Sequence, residues 1–181
     1  MSRLNIVEIQ NAIYDWVLSV VDPLTYVDID ADNIVWREQS VALPPRPCIG
    51  LKLLTGPMRT GSFDDVIDVG DDVNCHVSGQ REMSVSIQVY GNSRGGSANT
   101  NQVAADLSAS LTRPTILQNL IANGIAIFDI GDISDISAVE ESEYEERHQF
   151  DIKIGVAENI EDAPGFIETV GTISGTYRKE P

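Results

Sequence analysis

The sequence predicts an α+β fold: a mixed or antiparallel β-sheet with helices packed on one face. Three observations point there. Apolar residues recur at spacings of three and four over the first twenty positions. Polar and apolar residues alternate strictly over 82–90. The elements come in blocks (helix, strands, two helices, strands) and not in the βα alternation of a parallel sheet. At 181 residues the chain has the length of one domain, and folding at that size buries roughly 70% of the surface an unfolded chain exposes. The expectation is therefore a single domain over 1–181, with an N-terminal helix at about 5–21 and an irregular acidic, proline-containing segment at about 22–47.

Ile6, Ile9, Ile13, Trp16, Val17 and Val20 form one stripe of the first helix. Asn5 followed by Glu8 has the spacing of a capping box, and Asp22-Pro23 stops the helix because proline cannot continue its hydrogen-bond ladder. The prolines of 43–47 hold the chain extended before a strand over about 48–55. Three more strands are expected over 63–69, 73–79 and 81–91. In the last, Met83, Val85, Ile87 and Val89 face one way and Ser84, Ser86, Gln88 and Tyr90 the other. The glycine- and serine-rich loop 91–100 leads into a helix with Val103, Leu107 and Leu111 on one side. Pro114 opens a short third helix that Gly124 ends. Strands follow at 125–131, at 144–156 and, last, within 165–177.

Charge narrows the function classes. With 28 acidic and 12 basic side chains the net charge is −16. Such a surface repels phosphates within a Debye length of about 8 Å, and no basic run or basic-aromatic stripe offsets it. Specific nucleic-acid binding is not expected. Cys48 and Cys75 lack the spacing of a zinc knuckle or a disulfide framework. No stretch approaches the length of about 18 apolar residues that a membrane span needs, and the N-terminus has no basic region followed by an apolar block. A protein made in the cytosol, with no membrane partner, is the expectation.

Each candidate for chemistry has a plainer reading. The segment 28–33, DIDADN, places oxygens at positions 1, 3 and 5 as a calcium-binding loop does, but positions 6 and 12 are Asn33 and Gln39 where glycine and a bidentate glutamate belong. The acidic segment 68–74 reads as a polar turn between strands. The loop GNSRGGS lacks the Gly-Lys-Ser/Thr ending of a phosphate cradle. His76 and His148 sit in strand patterns without a nucleophile or metal-ligand spacing around either. No catalytic residue, cofactor or metal is assigned, and the chain is not expected to be an enzyme.

The densest charge cluster is YEERHQFDIKIGV, 144–156. A strand period of two puts Tyr144, Glu146, His148, Phe150, Ile152, Ile154 and Val156 on one face, and Glu145, Arg147, Gln149, Asp151 and Lys153 on the other. The second face alternates acid and base, which suits pairing with a neighbouring strand or subunit and not converging carboxylates. Glu145, Arg147, Asp151 and Lys153 are the candidate subunit-interface residues.

At this segment the chain resembles the bacteriophage neck or tail-terminator proteins. The resemblance rests on Tyr144-Glu145-Glu146-Arg147, on Phe150-Asp151-Ile152-Lys153-Ile154 and on the later Gly165-Phe166-Ile167-Glu168-Thr169-Val170. Val89-Tyr90-Gly91 before a polar loop and helix, the N-terminal helix and the proline-containing approach to the first long strand fit the same layout. The resemblance implies a tail-terminator-like ring subunit of the virion, assembled in the host cytoplasm, that caps the tail tube, stops its polymerisation and joins tail to head. Its implied partners are five further copies in a homohexameric ring, the tail-tube protein, the head-completion or connector proteins and, in a sheathed tail, the sheath. DNA would pass through the channel without specific binding. The alternatives are another tail-completion, head-completion or tube subunit and, from a different class, a calcium-dependent binding module or an enzyme using His148.

Overall fold

The computed structural model of the chain describes residues 4–21, 26, 28–37, 42–61, 65–68, 75–91, 99–140 and 143–162. The first helix, α1, spans Ile6–Val20; the Asn5 side chain caps it by accepting from the Val7 N–H at 3.1 Å. A 3-10 turn at Ala31–Asn33 leads into β1 (Ile34–Trp36), and β2 follows at Cys48–Arg59. Next come β3 (Asp65–Asp68), β4 (Cys75–Tyr90), α2 (Thr100–Ser110) and α3 (Pro114–Ala122). The chain then makes β5 (Ile125–Ile130), β6 (Ser134–Asp135), β7 (Ala138–Glu140), β8 (Glu143–Glu145) and β9 (Arg147–Asp162).

Seven strands form one mixed sheet in the order β1-β2-β4-β9-β5, with β3 added to β4 and β6 to β9. Among the described strands only the β1–β2 pair is parallel. β7 and β8 form a separate hairpin. The α+β expectation, with helices over one face of a mixed sheet, is met.

The spine is the β4–β9 pair, which runs unbroken from Cys75 opposite Asp162 to Tyr90 opposite Arg147. At 16 residues each, these strands extend about 50 Å. The two strands expected over 73–79 and 81–91 are thus one. Gly79 and Gln80 look like a break locally, but pairing to Glu158 and Ala157 overrides their weak strand preference. The strand expected within 165–177 lies outside the described residues.

The alternation within β4 orients the sheet. Met83, Val85, Ile87 and Val89 are fully buried, and their partners Ile154, Ile152, Phe150 and His148 lie on the same side. Against them pack Ile9, Ile13, Trp16 and Val17 of α1, Val103, Ala104 and Leu107 of α2, and Leu120 of α3. Each fully buried large aliphatic side chain is worth about 1.5–3 kcal/mol. Helix α1 is tied to α2 by the Trp16 Nε1–H, which donates to Ser110 Oγ at 2.9 Å, and the Ser110 hydroxyl donates in turn to the Leu107 carbonyl at 2.6 Å. Buried polar atoms are thereby satisfied inside the helical layer. All three helices lie on one face, so the other face of the sheet is left for different use.

Candidate functional site

The helix-free face carries Gln88, Ser86, Ser84 and Glu82 on β4 opposite Gln149, Asp151, Lys153 and Gly155 on β9. A run of hydrogen bonds crosses it. Arg37 Nη1 donates to Gln88 Oε1 at 3.0 Å, Gln88 Nε2 to Gln149 Oε1 at 2.8 Å, and Gln149 Nε2 to Asp151 Oδ1 at 3.2 Å. Arg37 reaches Gln88 across β2 because position 50 is glycine; a Cβ there would lie 2.7 Å from Arg37 Cδ.

At one end of this face a charged corner joins three parts of the chain. The guanidinium of Arg147 lies 4.6 Å from the centre of the Tyr90 ring and that of Arg37 lies 5.4 Å from it, both within cation–π range. The Tyr90 hydroxyl also accepts from Arg37 and donates to Gln88 Oε1 at 2.5 Å. Beside it the Glu145 carboxylate, on a residue only 2% exposed, contacts Arg46 at 2.9 Å and Arg147 at 3.3 Å. A buried carboxylate needs such partners, since an isolated charge there would cost several kcal/mol (an order of magnitude). Burial raises the Tyr90 phenol above its ordinary pKa against the opposing pull of Arg147 and Arg37. Burial also pushes the nearby Cys48 thiol up to about 11, so it stays protonated and unreactive at neutral pH.

A second knot explains His148. Thr100, the first residue of α2, donates its hydroxyl proton to Glu146 Oε1 at 2.6 Å and lies 2.9 Å from His148 Nδ1. Because a carboxylate only accepts, the hydroxyl proton is committed to Glu146, and His148 Nδ1 must carry the hydrogen it shares with Thr100. That polarity is the reverse of a nucleophilic hydroxyl activated by histidine, and Thr100 is fully buried. The Gly91 N–H donates to the Glu146 carbonyl at 2.8 Å. A Cβ on Gly91 would sit 2.6 Å from Thr100 Cγ2. The knot fastens both ends of the 91–100 loop to the β8–β9 junction.

The four interface candidates take different places. Asp151 and Lys153 share the helix-free face, Lys153 exposed and Asp151 half-buried. Arg147 begins that face and turns to Tyr90 and Glu145. Glu145 stays on the side of Arg147, as the period of two puts it, and is buried in the corner between Arg46 and Arg147. Arg37 and Arg46 went unseen in the sequence. Each comes from an irregular segment with no periodic signal, and only the pairing of β1 and β2 against β4 brings them to the corner.

The calcium-like segment is a capped turn. Asp30 Oδ1 accepts from the Asp32 N–H at 2.9 Å, the Asn33 side chain accepts from the Asp30 N–H at 3.1 Å, and Asn33 Nδ2 donates to the Pro45 carbonyl at 3.2 Å. Among the described residues no three His, Cys, Asp or Glu side chains gather as a metal requires. Also among the described residues, no helix is long and apolar enough to cross a membrane.

Among the described residues the structure thus shows a polar sheet face without a helix on it and two side-chain knots near one end of the sheet. The family model of the phage neck terminator protein matches residues 7–180. The chain belongs to the phage neck terminator family. No curated protein matches it. A neck terminator is a structural protein of the virion, and the match covers β2, β4, β9 and all three helices.

Proposed function

We propose that this neck terminator forms a six-membered ring on the last ring of the tail tube, stops tube growth there, and presents its upper surface to head-completion proteins. The observation that carries this reading is the family match over 7–180. The polar sheet face, which carries no helix among the described residues, supports it, since such a face can meet another subunit. Arg147, Asp151 and Lys153, with Glu145 buttressing Arg147, are the proposed contact residues of that face. Six copies at 16 negative charges each carry 96, and acids lining the channel would keep packaged DNA sliding and not adhering.

The deciding experiment is electron microscopy of the purified protein with and without tail tubes. A cap of density at one tube end, and overlong or headless tails in particles lacking the protein, is the expected result. Tubes that grow to normal length and join heads without it would overturn the reading.

A further inference from the structure

Among the described strands the sheet has two open edges, on opposite sides of the β4–β9 spine, and they complement each other. On one side β1 pairs only with Ile49, Gly50 and Leu51 of β2, so from Lys52 onward the outer side of β2 meets no other described strand. Leu54 and Met58 are exposed there, at 45% and 51%. The charges of β2 are Lys52 and Arg59, with no acid in the strand. On the other side β5 ends the path of strands. Phe128 and Ile121 are exposed there, at 49% and 64%, and over 125–135 the charges are Asp129, Asp132 and Asp135, with no base.

Beside β5 an uncharged groove of about 280 Å³ reaches inward over the spine, lined by Ile121, Ala126 and Phe128 with Gly155 and Ala157 of β9 and Gln80 of β4. Phe128 is the extra residue of a bulge between Ile127 and Asp129. Its ring lies over Gly155, where a Cβ would come within 2.1 Å of Phe128 Cζ. On β2, two register shifts and Pro57 interrupt the edge in the same way. Bulges and proline blunt an edge against open-ended strand addition, so these edges are shaped for side-chain docking.

The register places the two edges level with each other. Met58 stands opposite Glu82, Glu82 opposite Gly155, and Gly155 opposite Ala126. Lys52 stands opposite Ser86 and Ser86 opposite Asp151, whose carbonyl accepts from the Gly131 N–H, beside Asp132, at 2.7 Å. Edges at one level let a neighbour join with little shift along the strands, which a head-to-tail contact needs if it is to close into a ring instead of climbing into a filament.

We infer that the β2 edge of one copy docks into the β5 groove of a second copy, with Leu54 and Met58 packing against Phe128 and Ile121 and Lys52 facing Asp132. A basic and an acidic edge at the same level in one acidic chain fit another copy of that chain, and the uncharged groove lets two copies carrying 16 negative charges each meet. The inference rests on the ring reading above and names its seam.

The test is charge exchange across the seam, read by light scattering of the free protein and by imaging on tail tubes. Lys52→Asp and Asp132→Lys should each lose the ring, while the double variant and an equal mixture of the two single variants should regain it. Phe128→Asp should lose it in every combination, with folding followed by circular dichroism. In case the reversals unfold the chain, Met58→Cys with Phe128→Cys should give an oxidised ladder of linked copies ending at six. Wild-type rings from all the single variants, or rings without cross-links, would overturn the seam and leave the ring standing. No wild-type ring, free or on tubes, would remove both. Intact rings that no longer bind tubes would assign the groove to the tube and overturn the inference.

Discussion

Replacing Arg147 by alanine tests whether the corner holds the fold together. The change removes a cationic partner of a carboxylate, that of Glu145, on a residue only 2% exposed. Breaking a fully buried pair costs about 3–5 kcal/mol. Two features lower that here: the Arg147 side chain is itself 27% exposed, and Arg46 still lies 2.9 Å from the carboxylate. Loss of the stack on Tyr90 adds back about 0.5–1 kcal/mol. A net loss of about 2–3 kcal/mol is expected, and at about 2–4 °C per kcal/mol for a chain of this size the Tm should fall by roughly 4–12 °C. Arg147→Lys keeps the charge but not the planar stack or fork, so it should lose about half as much. Thermal unfolding followed by circular dichroism at low and high salt is the assay. A Tm for Arg147→Ala within 2 °C (about the shift of 1 kcal/mol) of wild type would show that Glu145 does not depend on Arg147, and the account of the corner would fall.

Further expectations follow from the other contacts. Thr100→Val removes the hydroxyl shared by Glu146 and His148; urea unfolding should show a loss of about 1–3 kcal/mol, while Thr100→Ser should stay close to wild type. Gly155→Val drives a side chain into the Phe128 ring and should cost about 1–3 kcal/mol; adding Phe128→Ala should recover part of this, and strictly additive losses would refute the contact. In a Cys75→Ser background the Cys48 thiol, held near 11 when folded against an ordinary value of 9.0, should resist alkylation at pH 8 until denaturant is added. Because folding raises that pKa, its contribution is fully present below about pH 9 and is lost as pH rises toward 11. Stability that rose across that window would contradict the burial of Cys48.

The positions that the sequence placed correctly are those where side-chain period and burial agree. Helix α1 is legible because Ile9, Ile13, Trp16 and Val17 both repeat at helical spacing and end up inside. The same holds for Met83 to Val89, whose alternation sets which face of β4 meets the helices. The period also holds across the β8–β9 junction: Glu145 meets Arg147 and Glu146 is joined to His148 through Thr100, the pairs that alternation puts on the same sides; what the period does not show is that Glu145 is buried. Gly79 and Gln80 were read as a break because local preference was the only information, whereas pairing to β9 decided otherwise. Arg37 and Arg46 could not be found from their surroundings, since an arginine in an irregular segment carries no mark of the ring or carboxylate it will reach.

By itself the sequence determined the helices, the facing of the central strand, the acidic surface and the resemblance to neck terminators. Each of these depends on residues close together in the chain or on sums over it. Tertiary structure alone decided which arginines meet Tyr90 and Glu145, that Thr100 joins Glu146 to His148, and that the β2 and β5 edges stand level across the spine. Those outcomes depend on strand order and register. Both are set by pairing between segments as far apart as Cys75 and Asp162, so no local pattern encodes them.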